Sequence, residues 1–151
     1  MGRKHLGELL VEPGFISMEQ LNYALNMQKA YKEKLGQTLM KLGYITEDTL
    51  IELLGKQHGT PSINLYKLHR EVLDEKIIHM ITRYVAEKYK VIPVGFKLDG
   101  NTKKLIVAMA DPSNLEAIDT LEFITGYSIE PIFTLQEDLE WIILYYYYGR
   151  R

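Results

Sequence analysis

The chain has 151 residues and a net charge of −2 at pH 7; that is room for one domain or two small ones and speaks against a general binder of nucleic-acid backbones, DNA included. It contains no cysteine, which excludes disulfides and thiolate metal sites without fixing a compartment. No apolar run is long enough to span a membrane, and Gly2-Arg3-Lys4-His5 leads straight into the first patterned segment without a signal-peptide stretch, so a cytoplasmic chain with no direct membrane insertion is expected.

Leu6, Leu9 and Leu10 have helical spacing, and Pro13-Gly14 ends that short helix because glycine tolerates the left-handed cap position. Ser17 then reads as an N-cap, with Gln20 completing a capping box and Ile16 and Leu21 forming a hydrophobic staple. A longer helix follows, carrying Leu21, Leu25 and Gln28 on one face. The same devices return further on: Gly43 ends a short helix, Thr46 caps a long one, Ile45 pairs with Leu50, and Glu47 and Asp48 place negative charge in the first turn. The linker between the two hairpins is Lys29 to Glu33, short enough that the four helices should pack as one unit.

Gly59-Thr60-Pro61-Ser62 marks a boundary. Ile63-Asn64-Leu65 reads as a short extended segment, and residues 71–88 as helix broken in two near Ile81-Thr82. Val91 to Phe96 and Lys104 to Met109 read as strands, joined by a hairpin turn at Asp99-Gly100-Asn101-Thr102. Asn114 or Asp111 starts a helix that Gly126 stops, Ser128 to Phe133 is a third strand, and Glu137 to Tyr147 is a terminal helix. The expected fold class is therefore α+β. A four-helix unit of two tandem helical hairpins (1–58) precedes a small α+β subdomain (59–151) in which helices cover a three-stranded sheet.

The strongest signal is repetition. His5-Leu6-Gly7-x-x-Leu10-x-x-x-Gly14-x-Ile16-Ser17-x-x-x-Leu21-x-x-x-Leu25-x-x-Gln28 recurs, offset throughout by 29 residues, as Lys34-Leu35-Gly36-x-x-Leu39-x-x-x-Gly43-x-Ile45-Thr46-x-x-x-Leu50-x-x-x-Leu54-x-x-Gln57. One structural unit is used twice, which suits a ligand or partner with two similar halves. By contrast, no P-loop or G-x-G-x-x-G pattern occurs, and none of His5, His58, His69 and His79 has a partner at metal-ligand spacing, so neither catalysis nor a cofactor or metal is expected. The chemistry points to a binding module. Leu6-Gly7 and Leu35-Gly36 open short helices where a ligand can approach the backbone and a phosphate can meet free N–H groups. His5 and Lys34 precede them as stacking or cationic groups, and Gln28 and Gln57 can bond a base edge.

The doubled pattern resembles the MshEN domain, the N-terminal domain of assembly ATPases of type II secretion and type IV pili. The second half is similar to that family's C-terminal subdomain at Tyr89-Lys90-Val91-Ile92-Pro93-Val94, Val107-Ala108-Met109-Ala110-Asp111-Pro112 and Thr125-Gly126. The resemblance implies cyclic di-GMP as ligand. It carries over Leu6, Gly7, Leu10, Gly14, Leu21, Leu25 and Gln28 from the first copy, and Leu35, Gly36, Leu39, Gly43, Leu50, Leu54 and Gln57 from the second. The family's arginine at the head of each copy is here His5 and Lys34. Lysine lacks the planar fork that grips guanine O6 and N7, and losing such a bidentate pair costs roughly 1–3 kcal/mol. Arg3 and Lys4 stand close enough in sequence to compensate. Asp111 is a further candidate, as acceptor for a guanine N1/N2 edge or alternatively as a helix cap.

Two functions follow as expectations. One is a cyclic di-GMP sensor whose ligand fixes the first subdomain against the second. The other is a docking module that has lost the nucleotide and holds an ATPase domain to the inner-membrane platform protein of a secretion or pilus machine. The aromatic run from Trp141 to Tyr148 reads as a helix packed on the sheet, or as an interface if its tyrosines are exposed. Met1 fits a true start, and Gly149-Arg150-Arg151 reads as a linker if an ATPase domain follows.

Overall fold

The computed structural model describes residues 5–149; Arg3, Lys4 and the Arg150-Arg151 end of the expected linker lie outside them. The first repeat forms α1 (Leu6–Val11) and α2 (Met18–Tyr31), and the second forms α3 (Leu35–Lys41) and α4 (Glu47–His58). The capping devices are present: Ser17 Oγ accepts from Gln20 N at 3.1 Å while Gln20 Oε1 accepts from Ser17 N at 2.9 Å, and Thr46 Oγ1 accepts from Thr49 N. Gly14 and Gly43 adopt φ of +89° and +76° in the turns that fold each hairpin, a conformation other residues resist. The link between hairpins is shorter than the sequence suggests. Residues 29–31 continue α2, and Lys32 ends it in a left-handed conformation at φ 53°. The hairpins enclose a core of Leu10, Ile16, Leu21, Ala24, Leu39 and Leu53.

Beyond α4, Ser62 bridges Phe133, with Ile63 N donating to Phe133 O and Phe133 N to Pro61 O. The extended segment is thus residues 61–63. Leu65 already opens α5 (Leu65–Val72), because Asn64 caps it by accepting from Lys67 N. The expected two helices over 71–88 are corrected to the end of α5, then α6 (Glu75–Ile78) and α7 (Arg83–Tyr89). Asp74 accepts from Lys76 N and starts a new turn, the local side-chain competition that interrupts helices at such residues.

Strands β1 (Val91–Asp99) and β2 (Thr102–Met109) form an antiparallel hairpin, and α8 (Leu115–Thr125) crosses over to β3 (Ser128–Phe133), parallel to β2. The order is β1-β2-β3, so Pro93 sits on an edge strand, next to a register shift, where its missing N–H is tolerated. Asn114 is the cap of α8, accepting from Ala117 N, and Gly126 ends it. Helix α9 (Gln136–Tyr147) closes the fold. Leu139 and Ile142 of α9 are fully buried with Leu105 and Val107 of the sheet and Leu121 of α8, whereas Leu144 and Tyr148 are about half exposed. A further cluster joins the halves: Leu50 and Ile51 of α4 pack with Phe133 and Leu135, flanked by Leu6, Met40, Ile45 and Leu54.

Candidate functional site

The joint between the halves holds a cleft of about 290 Å³. Leu6 contributes from α1. Lys34 before α3 and Leu35, Gly36, Gln37 and Met40 along it line one wall with Leu50, Leu54 and His58 of α4. The opposite wall is Ala110, Phe133, and Leu135, Gln136 and Glu137 at the start of α9. Its floor is apolar and its rim polar, the usual division between burial and orientation in a ligand site. His58 stacks on Phe133 with ring centroids 5.0 Å apart. Glu137 Oε1 accepts from Gln37 Nε2 at 3.1 Å and stands 4.0 Å from Lys34 Nζ.

Behind this rim Asp138 is buried beside Glu47, and burial first, then the hydrogen bond to and charge of Glu47, push its pKa up to about 7. Glu47 Oε1 and Asp138 Oδ2 are both buried, and the proton that Asp138 retains supplies a donor beside Glu47.

Of the residues expected from sequence, Leu6, Lys34, Leu35, Gly36, Leu50 and Leu54 come together in this cleft. The others lie elsewhere. His5 is exposed at the N-cap of α1, with φ and ψ of −71° and 153°, close to the −69° and 147° of Lys34 before α3. Leu10 and Leu39 are fully buried in the helical core, and Gly14 and Gly43 are turn formers. Leu25 is half-buried against the same core. Gln28 and Gln57 are half-buried on α2 and α4, outside the cleft lining. Asp111 is exposed one residue past Ala110 and accepts from Ser113 N and Oγ, making a turn before α8 rather than capping it.

Gly7 and Gly36 also have a packing role. A Cβ on Gly7 would lie 3.1 Å from Leu21 Cδ2, and one on Gly36 2.8 Å from Leu50 Cδ1. Each glycine lets the short helix of its repeat approach the leucine of the long one. The sequence reasoning missed Gln37, Met40, His58, Ala110, Phe133, Leu135, Gln136 and Glu137 as lining residues. The adjacency of Gln37 to Gly36, of His58 to Gln57 and of Ala110 to Asp111 was the local signal.

Among the described residues no helix is long and apolar enough to cross a membrane, and no group of three or more His, Asp or Glu is arranged to hold a metal.

These features define a class: an α+β module in which a doubled helical hairpin and a small sheet share one cleft. The MshEN domain model matches residues 58–151, and the chain belongs to the MshEN domain family. It is 40% identical over 94% of its length to the type IV pilus assembly ATPase PilB of Myxococcus xanthus and 28% over 87% to PilB of Thermus thermophilus. It spans only 24% and 14% of those proteins. Its fold is similar to the structure of MshE with cyclic di-GMP, with a TM-score of 0.67, 33% identity, and coverage of 96% of this chain and all of that one. It also resembles the N-terminal domain of XpsE, with a TM-score of 0.50, 22% identity and coverage of 91% and 90%.

Proposed function

We propose that the chain is a non-catalytic regulatory module that binds cyclic di-GMP across its tandem repeats, so that the ligand sets the helical unit against the sheet subdomain. The observation that carries this reading is the convergence of Lys34, Leu35, Gly36, Leu50 and Leu54, all from the second repeat, on a cleft whose other wall belongs to the sheet subdomain. Likeness to MshE with cyclic di-GMP supports it. A cleft of about 290 Å³ lies at the bottom of the range for small-molecule sites. It takes one nucleotide half, and the other half lies along the equivalent surface of repeat one, near His5, Leu25 and Gln28. Lys34 supplies positive charge and guanine donors, and Leu54 the apolar floor. In a longer protein, the same movement would be passed to an ATPase domain or to an inner-membrane platform protein on the cytoplasmic side.

Calorimetric titration with cyclic di-GMP, using GTP as control, tests the proposal. One ligand per chain at low-micromolar affinity or tighter is expected, on the order of 8 kcal/mol of binding free energy. Absence of heat and of any thermal shift at high ligand would leave the docking reading, which the replacement of the family arginines by His5 and Lys34 favours.

A further inference from the structure

We propose that Glu137, on α9 of the sheet subdomain, is the residue that selects guanine in this cleft. The inference rests on cyclic di-GMP entering the cleft as described above. Glu137 is the one carboxylate among the described residues that line it. It stands across from the head of the second repeat, within reach of Gln37 and Lys34, and its side chain is 49% exposed, so a ligand can meet it. His58, its ring aligned by Phe133, offers a flat surface on which a base can rest while its edge turns toward the rim.

The selectivity follows from donor and acceptor patterns. An ionised carboxylate only accepts. The Watson–Crick edge of guanine presents two adjacent donors, N1–H and the N2 amino group, which one carboxylate can take together. The same edge of adenine presents one donor and the N1 lone pair, which a carboxylate oxygen repels. Lys34 and Gln37 hold Glu137 at the rim before the ligand arrives, so little ordering is needed on binding. Asp111 accepts from Ser113 outside this lining.

The test is parallel calorimetry of the chain and its Glu137→Gln variant with cyclic di-GMP and cyclic di-AMP. The unaltered chain should prefer cyclic di-GMP. Glu137→Gln exchanges one acceptor for a donor, the pattern that suits adenine, so cyclic di-GMP affinity should fall roughly tenfold or more and the preference should narrow or reverse. Glu137→Asp, which keeps the carboxylate on a shorter arm, should lose affinity and retain the preference. Unchanged melting temperatures would show that all three chains fold alike. Equal or tighter binding of cyclic di-GMP by Glu137→Gln with unchanged preference would overturn the assignment and leave Glu137 as a negative charge beside Lys34. Binding of neither dinucleotide by the unaltered chain would overturn the proposed function, and the guanine assignment with it.

Discussion

Leu50 fills the space that a side chain on Gly36 would need: a Cβ there would lie 2.8 Å from one terminal methyl of Leu50 and 2.9 Å from the other. Leu50 is 3% exposed, so it has little room to yield. The contact binds the two helices of the second repeat, and both residues line the cleft. Gly36→Ala therefore sets a clash of about 1–3 kcal/mol against a gain of about 1 kcal/mol in helix propensity. Net destabilisation is expected in urea unfolding, and Gly36→Ala should cost less in a Leu50→Ala background than in the parent. Gly7→Ala, whose Cβ would stand 3.1 Å from Leu21, should be milder. Equal effects at the two positions would show that this packing difference does not decide the outcome.

Asp138 makes stability depend on pH. Its folded-state pKa of about 7 lies above the ordinary 3.8, so the folded chain holds the proton more tightly than the unfolded one. That contribution is complete below about pH 4 and is lost as pH rises through 7. Asp138→Asn cannot ionise and should flatten this dependence, raising stability at pH 8 relative to the parent by about 1–3 kcal/mol. Melting temperatures of both proteins at pH 5 and pH 8 measure the difference. Parallel pH profiles would mean that Asp138 does not hold its proton more tightly in the folded chain.

Lys34→Arg restores the planar fork in the cleft. On the proposed function it should tighten cyclic di-GMP binding about tenfold, within the roughly 1–3 kcal/mol of a bidentate guanine pair and reduced by competition from Glu137. Lys34→Ala should weaken it. Calorimetry of the three proteins decides, and identical affinities would remove Lys34 from the site. Gln28→Ala and Gln57→Ala, tested alongside, should weaken binding while leaving the melting temperature in place if the ligand extends along both long helices.

The two long helices are capped unequally. Ser17 and Gln20 exchange two hydrogen bonds, whereas Thr46 accepts one from the backbone. Ser17→Ala should cost about 1 kcal/mol or slightly more, and Thr46→Ala somewhat less. Urea denaturation of the two variants ranks them. The reverse order would place the stability of the repeats elsewhere than in their caps.

The features legible in the amino-acid order are local. Caps at Ser17 and Thr46, the turns at Gly14 and Gly43, and the three strands depend on side chains a few residues from the backbone groups they satisfy or on short-period alternation, and both are visible in one stretch of chain. The repeat adds the equivalence of the two hairpins, down to matching backbone angles at His5 and Lys34. The tertiary structure decided which repeated residues face a cavity and which vanish into the core. Leu39 and Leu54 look alike in the pattern, yet one is fully buried and the other lines the cleft. It also decided that Gly36 answers to Leu50, fourteen positions on, and that Glu137 meets Gln37 across a separation of 100 residues. Periodicity shows that a helix has an apolar face. What that face packs against is settled by chain connectivity and by the burial available once every element competes for the same core.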